Sequence, residues 1–129
     1  MPGRALLDTS AAAAFLRGDR ALADRVAGLD EVFTSVVAVG ELLYGARHSS
    51  NPDANLGRVS SFVSALVVLP CTDATAEVYA RVKQNLRAKG RPIPDNDLWI
   101  ASTAIQHELR LFDRDAHFEQ IEELERETW

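Results

Sequence analysis

The chain has 129 residues, a length typical of one domain, and 47% of them are apolar, enough to build a buried core. Its net charge of −5 is unlike that of a protein that holds nucleic acid by phosphate contacts alone, so such a role would need a metal-binding acidic cluster or a basic partner. The single cysteine, Cys71, excludes an intrachain disulfide, and we expect a buried, inert thiol. Asp8 interrupts the first apolar stretch and no apolar run could span a bilayer, so a cytoplasmic location is expected.

Short strands alternate with helices along the chain. In chain order we predict a strand at 4–7, helices at 11–16 and 19–27, a strand at 32–34, a helix at 36–47 and another from about residue 52. A strand at 66–69 and a helix at 73–89, capped by Asp73, come next. They are followed by a helix that Asp95 or Asn96 caps and that runs to 107, a strand at 109–112, a short helix within 113–119 and a last short strand within 121–129. This alternation indicates a single α/β domain over residues 1–129, with a mainly parallel sheet.

Acidic residues directly follow two of the predicted strands. Asp8 follows the first strand, and Asp113 and Asp115 follow the fourth. In open α/β sheets, ligands bind at the carboxyl ends of the strands. We therefore expect two strands to bring acids to the same edge of one sheet.

Two further acids lie on apolar faces of predicted helices. Glu41 shares its face with Val37, Gly40 and Tyr44, which is unexpected because glutamate is rarely buried without a partner. Asp97 lies in the first turn of its helix on a face of apolar residues, where the positive helix end favours the ionised form. Asp95 lies about 160° around the helix from Asp97, so the two should not point into one site.

Gathering several carboxylates is costly. Two of them about 5 Å apart repel by about 3 kcal/mol at an effective dielectric constant of about 20. Either the acids take up protons or a cation lies among them. Oxygen ligands without Cys or His suggest Mg²⁺ or Mn²⁺, the ions of metal-assisted phosphodiester hydrolysis.

Ordinary structural interpretations remain open for each group. Asp8 could cap the helix that follows it, and Asp95 and Asp97 could share one cap. Glu41 could pair with Arg47 or with another arginine, and the acids after the fourth strand could be turn residues. No Ser–His–Asp or Cys–His arrangement competes, and each histidine is expected to be a surface or helix-end residue. Substrate contact or a solvated surface could explain the basic side chains, which are Arg17, Arg20, Arg47, Arg81, Lys83, Arg87, Lys89 and Arg91.

Four segments in this order resemble the PIN-domain family, and specifically the VapC-type toxins of toxin–antitoxin pairs. They are LLDTS at 6–10, VGELLYGA at 39–46, IPDNDLWIA at 93–101 and LFDRDAHF at 111–118. The resemblance implies a three-layer α/β/α sandwich with four to five strands, Mg²⁺ or Mn²⁺, and endonucleolytic cleavage of cellular RNA that inhibits translation and growth.

The resemblance also implies a set of site residues. A hydroxyl that often helps to hold the family's site is matched by Thr9 or Ser10. The four acids that the family uses for catalysis and metal binding correspond to Asp8, Glu41, Asp97 and Asp115, the last at a position where the family also has Asn.

One position departs from the family pattern. Asp113 stands where the family usually has Thr. The extra carboxylate could bind a second metal ion, compete with Asp115 as the fourth acid, or face solvent.

Partners are implied in the same way. The family resemblance implies a homodimer and a VapB-type antitoxin protein that inserts an apolar and basic tail near the acidic pocket. The alternative function is a catalytically inactive PIN-like module that binds RNA or a protein. A phospho-aspartyl phosphatase is disfavoured because Asp8-Thr9-Ser10 lacks a second Asp two residues on.

Overall fold

A computed structural model describes residues 3–129, and this part of the chain alternates five strands with six α-helices. No helix within it is long and apolar enough to cross a membrane. In chain order the elements are β1 (Arg4–Leu7), α1 (Thr9–Leu16), α2 (Arg20–Ala27), β2 (Glu31–Ser35), α3 (Val36–Arg47), α4 (Pro52–Ser64), β3 (Val67–Leu69), α5 (Asp73–Ala88), α6 (Asp95–Gln106), β4 (Arg110–Phe112), a short 3-10 helix (Ala116–Gln120) and β5 (Arg126–Glu127).

The strands form one parallel sheet in the order β3-β2-β1-β4-β5. Leu7 at the end of β1 lies opposite Thr34 of β2 and Phe112 of β4. The carboxyl ends of β1 and β4 are therefore level, and the acids that follow them meet at one edge, as predicted.

Hydrophobic clusters cover both faces of this sheet. Leu6 and Leu111 face one side and pack in a cluster with buried residues of α5 and α6. Leu7 and Phe112 face the other side and pack with residues of α1, α2 and α4. The period of two along each strand separates these sets, as expected for strands buried on both faces. The predicted three-layer α/β/α sandwich is confirmed.

Two helix caps differ from the prediction. Asp73 is the first residue of α5, and Thr72 is the N-cap, because the buried Thr75 hydroxyl accepts the backbone N–H of Thr72 at 2.9 Å in a capping box. Pro94, not Asp95 or Asn96, occupies the N-cap of α6. The acids of the α6 first turn are thus not needed as caps.

Cys71 is exposed, so the prediction of a buried thiol is wrong. It lies in the connection between β3 and α5, beside the exposed Pro70 and Thr72. Such connections run over the protein surface because their backbone groups need water or local partners.

Candidate active site at the carboxyl edge of the sheet

Asp8 lies between β1 and α1 and is only 4% exposed. Its Oδ1 accepts the backbone N–H of Ala11 at 2.7 Å and the Ser10 hydroxyl at 2.8 Å. Asp8 is therefore the N-cap of α1, as one of the open interpretations held. A cap alone does not require burial, and most caps are at the surface, so a second role remains to be explained.

The electrostatic surroundings of Asp8 disfavour its charge. Burial raises its pKa from 3.8 to about 7, and the carboxylates of Asp113 and Asp97 act in the same direction. The hydrogen bonds from Ala11 and Ser10 oppose this effect without cancelling it. A buried acid with neighbouring acids and a strongly raised pKa is typical of a functional site.

Asp97 is the neighbour that the other acids share. It is partly buried in the first turn of α6, and burial raises its pKa, with further contributions from Asp115 and Glu41 and an opposing hydrogen bond from His117. Asp97 also raises the pKa of Asp8. The four predicted acids therefore interact electrostatically through Asp97.

Asp95 points elsewhere, as predicted. Tyr79 donates a hydrogen bond to it at 2.9 Å, and the Lys83 ammonium lies 3.2 Å from the same oxygen. Both contacts lower the pKa of Asp95, and the hydrogen bond from Tyr79 has the larger effect. Two acids separated by one residue thus have opposite environments.

Glu41 is held by a hydroxyl from α1. The side chain of Thr9 donates to Glu41 Oε1, and no Glu41–Arg47 ion pair occurs in residues 3–129. The predicted apolar face is buried only in part: Val37 packs against a core cluster and Glu41 is partly buried, whereas Gly40 is exposed and Tyr44 is 65% exposed. Helix α3 packs against one cluster through Val37 and Ala38 and against the other through Leu42 and Ala46.

Replacing Thr9 by valine tests whether this hydroxyl orients Glu41. Valine keeps the shape and removes the donor, so we expect an intact fold and a loss of divalent-metal affinity of about tenfold, as for other outer partners of metal ligands. Isothermal titration with Mn²⁺ measures it. Thr9→Ser retains the hydroxyl and should bind normally; equal affinities for all three proteins would contradict the role.

Asp113 is fully buried in an ion pair, so it does not face solvent. Arg126 of β5 donates from Nε to Asp113 Oδ2 at 3.0 Å and contacts Oδ1 through Nη2. The same Oδ1 accepts the backbone N–H of Asp115 at 3.1 Å, and Arg126 Nη2 donates to the Asp115 carbonyl at 3.1 Å. Asp113 and Arg126 thus shape the turn that presents Asp115.

Asp115 is partly buried, and the side chain of His117 contacts both Asp115 and Asp97. His117 Nδ1 lies 3.1 Å from Asp97 Oδ2 and 3.0 Å from Asp115 Oδ1. His117 was predicted to be a surface residue, and 47% of its side chain is indeed exposed. The prediction did not include its contacts with the two carboxylates. The available signal was its position two residues after Asp115 in the fourth motif.

The donor set fits a divalent cation. Asp97, Asp115 and His117 offer ligand atoms that all lie within 4.8 Å of one another. Asp8 and Glu41 do not belong to this group of ligand atoms, but Asp97 raises the pKa of Asp8 and Glu41 raises the pKa of Asp97. Carboxylate oxygens suit Mg²⁺ and Mn²⁺. Burial, with smaller contributions from neighbouring acids, raises the pKa of Asp8 and Asp97, and a cation would favour their charged forms.

Most of the basic residues in α5 and in the segment directly after it form ion pairs. The side chains of Arg81, Lys83 and Lys89 form ion pairs, with Glu123, Asp95 and Glu122 respectively. These contacts favour the solvated-surface interpretation for α5.

A groove beside the acids offers other basic groups. It has a volume of about 450 Å³ and an apolar lining that includes Leu16 and Leu42, and Thr9 and Glu41 border it. Arginines at positions 17 and 58 also line this groove.

The chain belongs to the PIN domain family, whose profile matches residues 5–124. Among its relatives, ribonuclease VapC4 of Mycobacterium tuberculosis is 35% identical over 124 residues, which is 95% of this chain and 94% of the relative. The tRNA(fMet)-specific endonuclease VapC of Shigella flexneri is 33% identical over 96 residues, 74% of this chain and 73% of that protein. The predicted resemblance to VapC-type proteins is confirmed.

Solved structures agree with this assignment. The crystal structure of DNA-bound VapBC from Salmonella typhimurium superimposes with a TM-score of 0.92 at 27% identity, covering 100% of this chain and 99% of that one. VapBC-1 from nontypeable Haemophilus influenzae gives a TM-score of 0.89 at 27% identity, with 98% of each chain covered.

Proposed function

We propose that this chain is a divalent-metal-dependent endoribonuclease that acts as the toxin of a toxin–antitoxin pair. The observation that carries the proposal is the convergence on Asp97 of Asp8, Glu41 and Asp115, with burial raising the pKa of Asp8 to about 7. An inactive fold would have no reason to retain this electrostatic cost. Relatives named ribonucleases over nearly the whole chain support the same activity.

The proposed roles follow from position. Asp8, which is buried, and Asp97, which is partly buried, would hold Mg²⁺ or Mn²⁺, which would supply Lewis acidity and compensate the charge that develops on phosphate oxygens. Ser10 orients Asp8 and Thr9 orients Glu41 by hydrogen bonds to their oxygens. Asp115, which raises the pKa of Asp97, would complete the set.

The substrate we propose is RNA, with transfer RNA as the first class to test. One relative is named a tRNA(fMet)-specific endonuclease, and 74% of this chain aligns with it. The unpaired acids of the site would repel phosphate without a cation, so cleavage and RNA binding in the site should both depend on the ion.

The test is cleavage of purified tRNA and of a ribosomal RNA fragment with Mg²⁺ or Mn²⁺, against an EDTA control. Asp97→Asn should lower the rate by at least 100-fold, roughly the loss of a group that stabilises transition-state charge. Asp95→Asn, two residues away on the same helix but paired with Lys83, is the matched control and should leave the rate unchanged. RNA binding without cleavage by the wild type in either metal would favour the inactive binding module.

We infer that the antitoxin occupies the groove lined by Leu16 and Leu42. Its apolar lining suits an apolar segment, and Glu41 at its border suits a basic side chain that would reach the acids. Structures of VapBC complexes with this fold support a VapB-type partner. The gene next to this one should encode a short protein that co-purifies with the wild type. Gly45→Glu, at an exposed position of the groove where a side chain meets no neighbouring atom, should prevent that co-purification, and unchanged capture would place the partner elsewhere.

We infer a homodimer from the outer face of α3. Val36, Leu43 and Tyr44 are 45%, 37% and 65% exposed, and an apolar stripe of this kind on a helix is more often covered in solution. Light scattering after gel filtration should give twice the chain mass, and a monomeric mass at micromolar concentration would contradict the dimer.

A further inference from the structure

His117 brings an imidazole nitrogen into the acid cluster. It lies in the Ala116–Gln120 helix, whose N-cap is Asp115, and the backbone N–H of His117 donates to Asp115 Oδ1 at 2.9 Å. This hydrogen bond fixes the start of the helix and directs the ring toward α6. The ring Nδ1 then lies 3.1 Å from Asp97 Oδ2 and 3.0 Å from Asp115 Oδ1.

These two separations match those between neighbouring ligands of one ion. In octahedral coordination with bonds of about 2.1 Å, adjacent ligand atoms lie about 3.0 Å apart. The contact with Asp97 has hydrogen-bond geometry and the contact with Asp115 is an ion pair, so one nitrogen approaches two carboxylates at nearly equal distances. Ligand atoms of Asp97, Asp115 and His117 all lie within 4.8 Å of one another, close enough to bind one shared cation.

We propose that His117 is a direct ligand of the divalent ion, together with Asp97 and Asp115. The inference rests on the proposed metal-dependent function and adds a nitrogen ligand to a site otherwise made of oxygen donors. Its exposed ring can adjust by the few tenths of an ångström that bond formation needs, because 47% of its side chain is free of packing.

The nitrogen ligand has a consequence for ion choice. Imidazole favours first-row transition ions, whereas Mg²⁺ prefers oxygen ligands and water. The site should therefore bind Mn²⁺ in preference to Mg²⁺, and His117 should be the source of that preference. The alternative arrangement is that His117 only donates a hydrogen bond to the acids and moves aside when an ion binds.

Spin-echo electron paramagnetic resonance of the full chain with Mn²⁺ alone distinguishes the two. The wild type should show nitrogen coupling to Mn²⁺, and His117→Gln, which keeps a polar side chain without the imidazole, should lose it. His107→Gln, at the opposite end of α6, is the matched control and should retain the coupling. Titration calorimetry should show Mn²⁺ affinity reduced at least tenfold by His117→Gln, roughly the smaller loss seen for outer partners of ligands, and Mg²⁺ affinity reduced less.

Failure of this inference is distinguishable from failure of the proposed function. Mn²⁺ binding to the wild type without nitrogen coupling, or coupling that persists in His117→Gln, would overturn the ligand role and leave the metal-dependent function standing. Absence of any Mn²⁺ or Mg²⁺ binding to the wild type would overturn both. Asp97→Asn should lose affinity for both ions, which separates a general loss of the site from a change in ion preference.

Discussion

Asp8→Asn is expected to reduce RNA cleavage by at least 100-fold, roughly the effect of losing a group that stabilises transition-state charge, while making the metal-free protein more stable at neutral pH. Asparagine can still cap α1 by accepting the Ala11 N–H, so the fold should persist. Loss of function with gain of stability is the behaviour of a residue retained for chemistry. If Asp8 were only a cap, cleavage would continue.

The gain in stability has a defined pH dependence. Unfolded Asp8 loses its proton near pH 3.8, but the folded protein keeps it up to about pH 7 because burial disfavours the charge. Between these values the folded state binds more protons, so its stability falls as pH rises, by about 4 kcal/mol in total for Asp8. The Asn variant lacks this loss, and the difference from wild type should widen between pH 4 and pH 7.

Urea unfolding in EDTA across that pH range measures the difference. Asp19→Asn is the matched control, because Asp19 is also an N-cap, of α2, but its pKa is lowered, chiefly by the hydrogen bond from Leu22. That variant should therefore not gain stability as pH rises and should cleave RNA normally. Saturating Mn²⁺ should restore stability to the wild type at high pH and do little for Asp8→Asn. Parallel pH curves for wild type and Asp8→Asn would contradict the account.

Arg126→Met should destabilise the fold by about 3–5 kcal/mol, the usual result of leaving one member of a buried ion pair alone. Asp113 is fully buried, and Arg126 is its cationic partner across the sheet edge. Methionine keeps most of the apolar volume, so the loss should come from the uncompensated carboxylate. The free energy of unfolding in urea is the measurement.

Two comparisons separate charge from packing in that result. Arg81→Met removes an exposed pair with Glu123 and should cost less than about 1 kcal/mol. Adding Asp113→Asn to Arg126→Met removes the buried charge and should recover part of the stability, a coupling that a double-mutant cycle reports. A cost below about 1 kcal/mol for Arg126→Met, or no recovery in the double variant, would mean that the pair does not hold the Asp115 turn.

The fold was largely predictable because local sequence patterns determine most of its strands and helices. Apolar runs ending in Asp8 and Asp113 located two central strands, and parallel pairing then placed both acids at one edge. The caps were predicted less well. Thr72 and Thr75 form a capping box whose second hydroxyl is buried by tertiary packing against α6, which a scan for acidic caps does not detect.

The acids of the site could be predicted from the sequence, but the residues that contact and position them could not. Asp8 and Asp97 could be selected because charged residues in apolar surroundings are rare. Asp113 was left open because its partner, Arg126, is thirteen residues away on a strand of two residues that has almost no periodicity. His117 was passed over because a lone histidine after a strand is usually at the surface, and only the folded turn brings it between two carboxylates.

Anomalous diffraction from crystals soaked in Mn²⁺ tests most directly whether the four acids form one metal site. A peak at the manganese absorption edge should lie among Asp8, Glu41, Asp97 and Asp115, within about 2.2 Å of an Asp97 oxygen, a normal bond length for this ion. The peak should be absent in Asp97→Asn crystals and present in Asp95→Asn crystals. A fully occupied wild-type peak away from Asp97, or none at saturating Mn²⁺, would contradict the account.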